Sequence, residues 1–156
     1  MKYIIGIDPS IRENGIGLCV IDLKFKNIEF HKFKKFIQLL EYISAMYDIY
    51  DSDETLYVIE DSNMLNVTFE RSTQPNVVSK ISRSVGKNQA VSMILKDWIE
   101  SKGYTCRCLS PKNKGSKWTK EYMMAIIKTE KLNLDESKKI SQDEIDAFTL
   151  AYICKP

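Results

Sequence analysis

The chain has 156 residues, of which 44% are hydrophobic and 28% are charged, and its formal net charge is +2. This size and balance are typical of one folded domain with a single core, and they argue against disorder. No apolar run reaches the roughly 18 to 20 residues that span a bilayer, and Lys2 is not followed by the apolar core of a signal peptide. We therefore expect a single domain over residues 1–156 in a soluble, unsecreted, cytoplasmic protein with no membrane partner.

The first half of the chain is predicted to alternate strands with one helix. Dense Ile, Leu and Val over 3–8 and 17–23 predict two strands buried on both faces, joined by a hairpin turn. A third strand near 27–33 places alternate apolar residues on one face. Apolar spacing over 36–50 then predicts a helix of about four turns, and residues 56–61 form a fourth strand. Residues 62–84 are polar and contain Pro75, which favours a long loop.

The second half is predicted to be mostly helical. A helix over 87–102 ends at Gly103, a fifth strand covers 104–109, and a basic loop follows over 111–117. Another helix runs through Met123 and Ile127, and Ser141 with Glu144 forms a capping box that opens a last helix. This order predicts an α/β fold with a mixed five-stranded sheet flanked by helices.

Positive charge is concentrated in one third of the chain. Residues 71–120 contain eleven Lys or Arg and two acidic residues, a net charge of +9, so the remaining residues carry −7. A basic stretch of this size inside a folded domain is typical of a protein that binds a polyanion. A solvated lysine face is the alternative, and the acidic remainder of the chain favours polyanion binding over it.

The cysteine and histidine content limits which metal sites and catalytic groups are possible. The four cysteines have neither C-x-x-C pairing nor zinc-knuckle spacing, so neither a zinc site nor a disulfide framework is expected. Since His31 is the only histidine, reactions that need two imidazoles are excluded and carboxylates are the expected reactive groups.

Four acidic residues lie where a hydrophobic core would disfavour them. Asp8 and Glu60 end apolar strands, and Asp143 and Asp146 share one face of the last helix. Three of them have an ordinary explanation: an Asx turn for Asp8, a strand-end surface position for Glu60, and the helix dipole for Asp143. Converging carboxylates raise one another's pKa, and Mg²⁺ relieves their repulsion. The set, beside the basic region, indicates a metal-dependent phosphodiesterase site.

The same residues resemble the RuvC-type Holliday-junction resolvases of the ribonuclease H-like superfamily. The segment Gly6–Gly17 is similar to that family's first-strand motif and places Asp8 on its first catalytic aspartate. Val58-Ile59-Glu60 resembles the strand that carries the catalytic glutamate, which selects Glu60 over Asp61. The helix 143–147 matches the closing D-x-x-D-A pattern. The resemblance covers nearly the whole chain in order and spacing. The chain is short for the family, which is compatible with a phage-borne member.

The resemblance implies a ribonuclease H-like sheet and a Mg²⁺-dependent endonuclease, with Mn²⁺ as a substitute and no small-molecule cofactor. The catalytic and metal-binding residues are then Asp8, Glu60, Asp143 and Asp146. The implied partners are branched DNA, above all a four-way junction, and a second copy of the chain in a homodimer that makes paired nicks with 5′-phosphate and 3′-hydroxyl ends. We expect contacts to the DNA backbone from Arg71, Arg83, Lys87, Lys112, Lys114, Lys117 and Lys120.

The chain departs from the family pattern after Glu60. The family typically has an aromatic residue there that stacks on bases, whereas this chain has Asp61-Ser62-Asn63-Met64. Two other functions stay open on the sequence alone. One is a ribonuclease H-like nuclease that acts on RNA:DNA hybrid or other branched nucleic acid, and the other is a non-catalytic junction-binding protein.

Overall fold

The computed structural model describes residues 1–9, 15–64, 75–135 and 137–156, and for 75–81 the backbone alone. In these ranges the chain forms six strands and four α-helices. The strands are β1 Tyr3–Asp8, β2 Ile16–Asp22, β3 Asn27–Phe33, β4 Thr55–Glu60, β5 Thr105–Leu109 and β6 Asn133–Leu134. The helices are α1 Phe36–Ala45, α2 Pro75–Ser101, α3 Lys120–Glu130 and α4 Gln142–Ile153. None of these helices is long and apolar enough to cross a membrane.

The strands form one mixed sheet in the order β5-β4-β1-β2-β3-β6. β2 is antiparallel to β1 and β3, whereas β4 is parallel to β1 and β5. The carboxyl ends of β1, β4 and β5 therefore lie at the same edge of the sheet. The mixed sheet flanked by helices is confirmed, but the predicted count of five strands is wrong. The sixth strand, β6, has only two residues, which is too short to show an alternating pattern in the sequence.

Helices cover both faces of the sheet and divide the core into two layers. One layer packs Ile4 and Val58 of the sheet against α3 and α4, and the other packs Ile5 of the sheet against α1 and α2. Adjacent residues of β1 thus point to opposite layers, and all six are buried. The strands buried on both faces that the apolar runs predict are confirmed for β1 and β2.

Two glycines let α4 lie unusually close to the sheet. A Cβ atom on Gly6 would overlap the carbonyl oxygen of Ala147, and one on Gly17 would overlap that of Asp143. Gly17 is also the direct partner of Asp8 in the β1–β2 ladder. The missing side chain of Gly17 therefore brings the first turn of α4 next to the end of β1.

Helix α2 is longer than its sequence pattern predicts. It begins at Pro75, so residues 75–84 are helical and the predicted loop over 62–84 is wrong for that part. Proline is favoured in the first turn of a helix, where its missing N–H is not needed. The first turns are rich in Ser and Asn, so composition favours a loop, although Val77, Ile81 and Val85 have the spacing of one helix face. Residues 65–74 and 10–14, the latter within the predicted hairpin turn, lie outside the described residues.

Helix α1 is shorter than predicted. It ends at Ala45 instead of continuing to Tyr50, and the backbone N–H groups of Met46 and Tyr50 are taken up in a hydrogen-bonded turn. Tyr50 is buried and packs edge-on against Tyr3, with ring centroids 4.8 Å apart. The apolar residues after Ala45 keep helical spacing because the turn packs on the same layer as the helix.

Candidate metal and nucleic-acid site

Asp8 and Glu60 lie side by side at one edge of the sheet. Ile7 of β1 pairs with Ile59 of β4, so the residues that follow are neighbours on parallel strands. Alternation along each strand places Asp8 on the same face as Gly6 and Glu60 on the same face as Val58, which is the face that α4 covers. Both carboxylates therefore face the helix that carries the other two acidic residues.

The N-terminus of α4 is fixed by the capping box that the sequence predicts. Glu144 Oε2 accepts hydrogen bonds from the backbone N–H of Ser141 at 2.8 Å and from its hydroxyl at 2.7 Å. Helix α4 then begins at Gln142, so Asp143 and Asp146 belong to its first turns. Because Gly17 allows close contact, these turns lie above the end of β1.

Asp8 shows that the four carboxylates are close enough to influence one another. Its side chain is buried, with 7% of the residue exposed. Burial and then the charge of Glu60 raise the pKa of Asp8 from 3.8 to about 7. The charges of Asp146 and Asp143 act in the same direction, and that of Lys114 opposes them. This pocket, defined by Asp8, Glu60, Asp143 and Asp146, is called the carboxylate pocket below.

Lys114 places its ammonium group inside the carboxylate pocket. Its Nζ lies 2.5 Å from Glu60 Oε2 and 3.8 Å from Asp146 Oδ2, and only 11% of its side chain is exposed. Burial lowers the pKa of Lys114, but the hydrogen bond and charge of Glu60, with the charges of Asp146 and Asp8, raise it above its ordinary value overall. Lys114 is therefore a charged lysine held by carboxylates.

Other basic and polar groups surround the pocket. Lys117 Nζ lies 3.9 Å from Asp146 Oδ2, and Lys32 Nζ lies 3.4 Å from Asp143 Oδ2. The side-chain amide of Gln142 donates to Asp146 Oδ1 at 3.0 Å. Sequence reasoning missed Lys32 at this place, although a signal exists. Side chains alternate along β3, so Lys32 lies on the same face as the buried Phe30, two residues before it. This alternation alone predicts a lysine on the face that α4 covers.

The backbone after β4 explains why Glu60, and not Asp61, faces the pocket. Asp61 Oδ1 accepts hydrogen bonds from the backbone and side-chain amides of Asn63, at 2.9 and 2.7 Å, and so closes a local turn. The hydroxyl of Ser92 on α2 donates to the carbonyl oxygen of Glu60 at 3.0 Å. Asp61 therefore has a structural role within the loop, and α2 supports the end of β4.

The predicted DNA-binding residues fall into three groups. Arg83 and Lys87 are exposed on α2, so the expectation that Arg83 lies on a loop is wrong because that segment is helical. Three further lysines are exposed around the loop between β5 and α3 and at the start of α3: Lys112, Lys117 and Lys120. Lys114 points inward instead. Arg71 lies outside the described residues.

The chemistry of the pocket fits a hard divalent cation. Its donors are carboxylate oxygens, the ligands that Mg²⁺ prefers. Glu60 Oε2 is buried, and its charged partner is the ammonium group of Lys114. Among the described residues, however, no three acidic, His or Cys side chains are arranged to hold one ion directly. The place where the carboxylates favour a positive charge is occupied by the ammonium group of Lys114.

Comparison with solved structures identifies the fold, whereas no protein-family model and no curated protein matches the sequence. One similar structure is T. thermophilus RuvC in complex with a Holliday junction substrate, with a TM-score of 0.54 and 16% identity over 97% of this chain and 90% of that chain. Another is the large terminase nuclease from thermophilic phage G20c, with a TM-score of 0.51 and 12% identity over 99% and 82%. The resemblance that the motifs predict is thus confirmed at the level of the fold.

Proposed function

We propose, from the ribonuclease H-like fold of this chain, that it is a divalent-metal-dependent endonuclease that cuts branched DNA. One observation carries the proposal: the ends of β1 and β4 and the first turns of α4 bring Asp8, Glu60, Asp143 and Asp146 to one pocket. The fold alone would not indicate activity, because one fold hosts many functions. Four carboxylates in a common pocket beside exposed lysines are the stronger argument.

The four carboxylates would hold the metal, Mg²⁺ or in its place Mn²⁺. When bound, such ions activate a water for in-line attack on a phosphodiester and stabilise the leaving oxygen, giving 5′-phosphate and 3′-hydroxyl ends. The chain's own part is to orient the carboxylates. Gln142 holds Asp146 through its amide, and the backbone of Glu60 is held by Ser92. Asp8 is kept dry, which strengthens its attraction to a cation.

The exposed lysines next to the pocket would bind the DNA backbone. Lys117 lies between the pocket and solvent with 65% of its side chain exposed, so it can contact a phosphate that approaches Asp146. Lys112 and Lys120, which flank Lys117 in the sequence, are also exposed and would add positive charge to this surface. Such contacts depend on the path of the DNA backbone and not on the base sequence, which suits a nuclease that selects branched structures.

Paired nicks in a four-way junction need two active sites, so we include a homodimer in the proposal. The helix α2 offers a surface for it. Val91 and Leu95 turn into the core, whereas Met93 and Ile94 are exposed by 57% and 55%. Exposed apolar residues beside each other on a long helix favour contact with a second copy.

A second nuclease function is supported by the segment after Glu60. Asp61–Met64 has no aromatic side chain to stack on bases at a crossover, so the same pocket could serve RNA:DNA hybrid or other branched nucleic acid. The substrate preference and the catalysis are tested together with an end-labelled mobile four-way junction, a flap and a hybrid duplex, each without metal, with Mg²⁺ and with Mn²⁺.

Symmetric pairs of nicks in the junction, dependent on Mg²⁺ or Mn²⁺, are the expected result. Faster turnover of the hybrid or the flap would favour the second function. Junction binding without any nicking in either metal would contradict both and indicate a non-catalytic junction-binding protein.

A further inference from the structure

Lys114 differs from every other lysine near the carboxylate pocket in how it is placed. Its ammonium group contacts Glu60 at 2.5 Å and also lies 3.8 Å from Asp146, while its side chain is nearly buried. Lys117 reaches the same Asp146 oxygen at a similar distance, 3.9 Å, but is mostly exposed and has no contact with Glu60. One lysine is inside the pocket and the other is at its rim.

The position of Lys114 is fixed by its own turn and not by the pocket alone. The backbone N–H groups of Asn113 and Lys114 donate to the carbonyl oxygen of Ser110, at 2.8 and 3.3 Å, and Gly115 adopts a left-handed conformation with φ of 78°. This turn directs the side chain toward β4, and the four-carbon stem of a lysine is flexible. The ammonium group can therefore leave the pocket without a change in the backbone.

The ammonium group and a divalent ion cannot share this place. A bound Mg²⁺ lies about 2.1 Å from each carboxylate oxygen that it contacts. An ion on Glu60 Oε2 or Asp146 Oδ2 would then be within a few ångströms of Lys114 Nζ, and the two positive charges would repel each other strongly in a pocket with little water.

We propose that Lys114 is the resident cation of the carboxylate pocket in the metal-free protein and that divalent ions must displace its ammonium group to bind. This inference rests on the metal-dependent function proposed above. It explains how three buried or half-buried carboxylates are tolerated without metal, since Lys114 offsets the charge of Asp8, Glu60 and Asp146. Metal affinity is then set by an exchange of cations, and the released lysine is available to a DNA phosphate.

The exchange predicts that removing the ammonium group strengthens metal binding. Mn²⁺ is titrated calorimetrically into chelator-treated protein without DNA. We expect Lys114→Met to lower the dissociation constant at least tenfold, because the carboxylates lose their internal competitor. The matched control is Lys117→Met, which removes a solvent-screened charge near the same oxygen, and we expect a change of less than threefold. Equal or weaker binding by Lys114→Met overturns the inference.

The wild-type protein provides a readout that no folding defect can obscure. In a ¹H–¹⁵N spectrum of lysine ammonium groups, Lys114 is expected to give a signal protected from solvent exchange, assigned by its loss in Lys114→Gln. Saturation with diamagnetic Mg²⁺ should abolish this signal as the group moves to solvent. A signal that persists unchanged at saturating Mg²⁺ overturns the inference.

The two proposals fail in different ways. If wild-type protein binds Mn²⁺ and Asp8→Asn does not, the metal site stands, and the Lys114 result decides the inference alone. If neither the wild-type protein nor any variant binds Mn²⁺, the proposed metal-dependent function is wrong and the proposed cation exchange is wrong with it.

Discussion

Two regions at the start of α4 bury carboxylates in opposite ways. In the capping box, Glu144 is 2% exposed, but one of its oxygens accepts two hydrogen bonds from Ser141 and the other lies 3.7 Å from the ammonium group of Lys138. In the carboxylate pocket, Asp8 is nearly as buried but faces other carboxylates, and its pKa rises to about 7. We therefore propose Asp8, and not Glu144, as a functional acid because of the carboxylates around it and not because of its burial.

The largest expected effect comes from neutralising the pocket. Asp8→Asn should lower nicking of a four-way junction roughly a thousandfold or more. The substitution removes an oxygen that would bind the metal, and a bound metal stabilises the charge of the transition state by several kcal/mol. DNA binding should be retained or become tighter, since a negative charge is lost. Asp61→Asn, which changes a carboxylate used only in a local turn, is the control. Wild-type nicking by Asp8→Asn would refute its assignment as a ligand.

Neutralising Glu144 of the capping box should have the opposite effect, which is lower stability with unchanged nicking. Glu144→Gln weakens two hydrogen bonds from Ser141, so the free energy of unfolding should fall by roughly 1–2 kcal/mol in urea denaturation. The nicking rate per folded molecule should stay close to wild type. Loss of activity without loss of stability would mean that the contrast between the two regions is mistaken.

Close packing of α4 on β2 links the two regions. Gly17→Ala would place a methyl group on the carbonyl oxygen of Asp143, so α4 must move away from Asp8. We expect a loss of about 1–3 kcal/mol in the free energy of unfolding, together with weaker Mn²⁺ binding. Gly103→Ala serves as the comparison, because its Cβ would meet open space although its φ of 84° strains any side chain. That variant should lower stability and leave Mn²⁺ binding unchanged.

The pH dependence of stability reports on Asp8 of the carboxylate pocket without any substitution. The pKa of Asp8 is about 7 in the folded protein and near 3.8 when unfolded, so the folded state binds more protons between these values. The free energy of unfolding of metal-free protein should fall as pH rises from about 4 to about 7, by at most about 4 kcal/mol, at 1.4 kcal/mol for each tenfold change in proton affinity. Denaturant titrations of Asp8→Asn should show a flatter profile; an identical profile would contradict the assignment.

The smallest effect belongs to the rim of the basic surface. Lys112→Ala removes one exposed charge, so the slope of log K for junction binding against log salt should become shallower by about one. The melting temperature should not change. An unchanged slope would exclude Lys112 from the DNA contacts.

The sequence predicted the strands and the capping box well because both have strong local signals. Apolar runs define β1 and β2, and Ser141 with Glu144 marks the start of α4. The start of α2 was missed because its Ser and Asn residues favour a loop by composition, and this outweighed the helical spacing of Val77, Ile81 and Val85. The strand β6 is too short to show any period.

The site was harder to predict because its geometry is set by tertiary contacts. The sequence placed Asp8 and Glu60 at the ends of apolar strands, but the shared face follows from the strand register and the approach of α4 depends on Gly17. The inward position of Lys114 depends on the turn after Ser110, and the spacing of lysines in that loop does not reveal it. Lys114 was thus expected among the DNA contacts alone.

We propose that four carboxylates from β1, β4 and α4 form one metal-dependent cleavage site. Anomalous diffraction from crystals grown with Mn²⁺ locates the ions themselves. We expect a peak bounded by Asp8, Glu60 and the two α4 aspartates, with Lys114 turned away from Glu60. Manganese found only elsewhere, with Lys114 still paired to Glu60 in protein that nicks DNA in Mn²⁺, would contradict it.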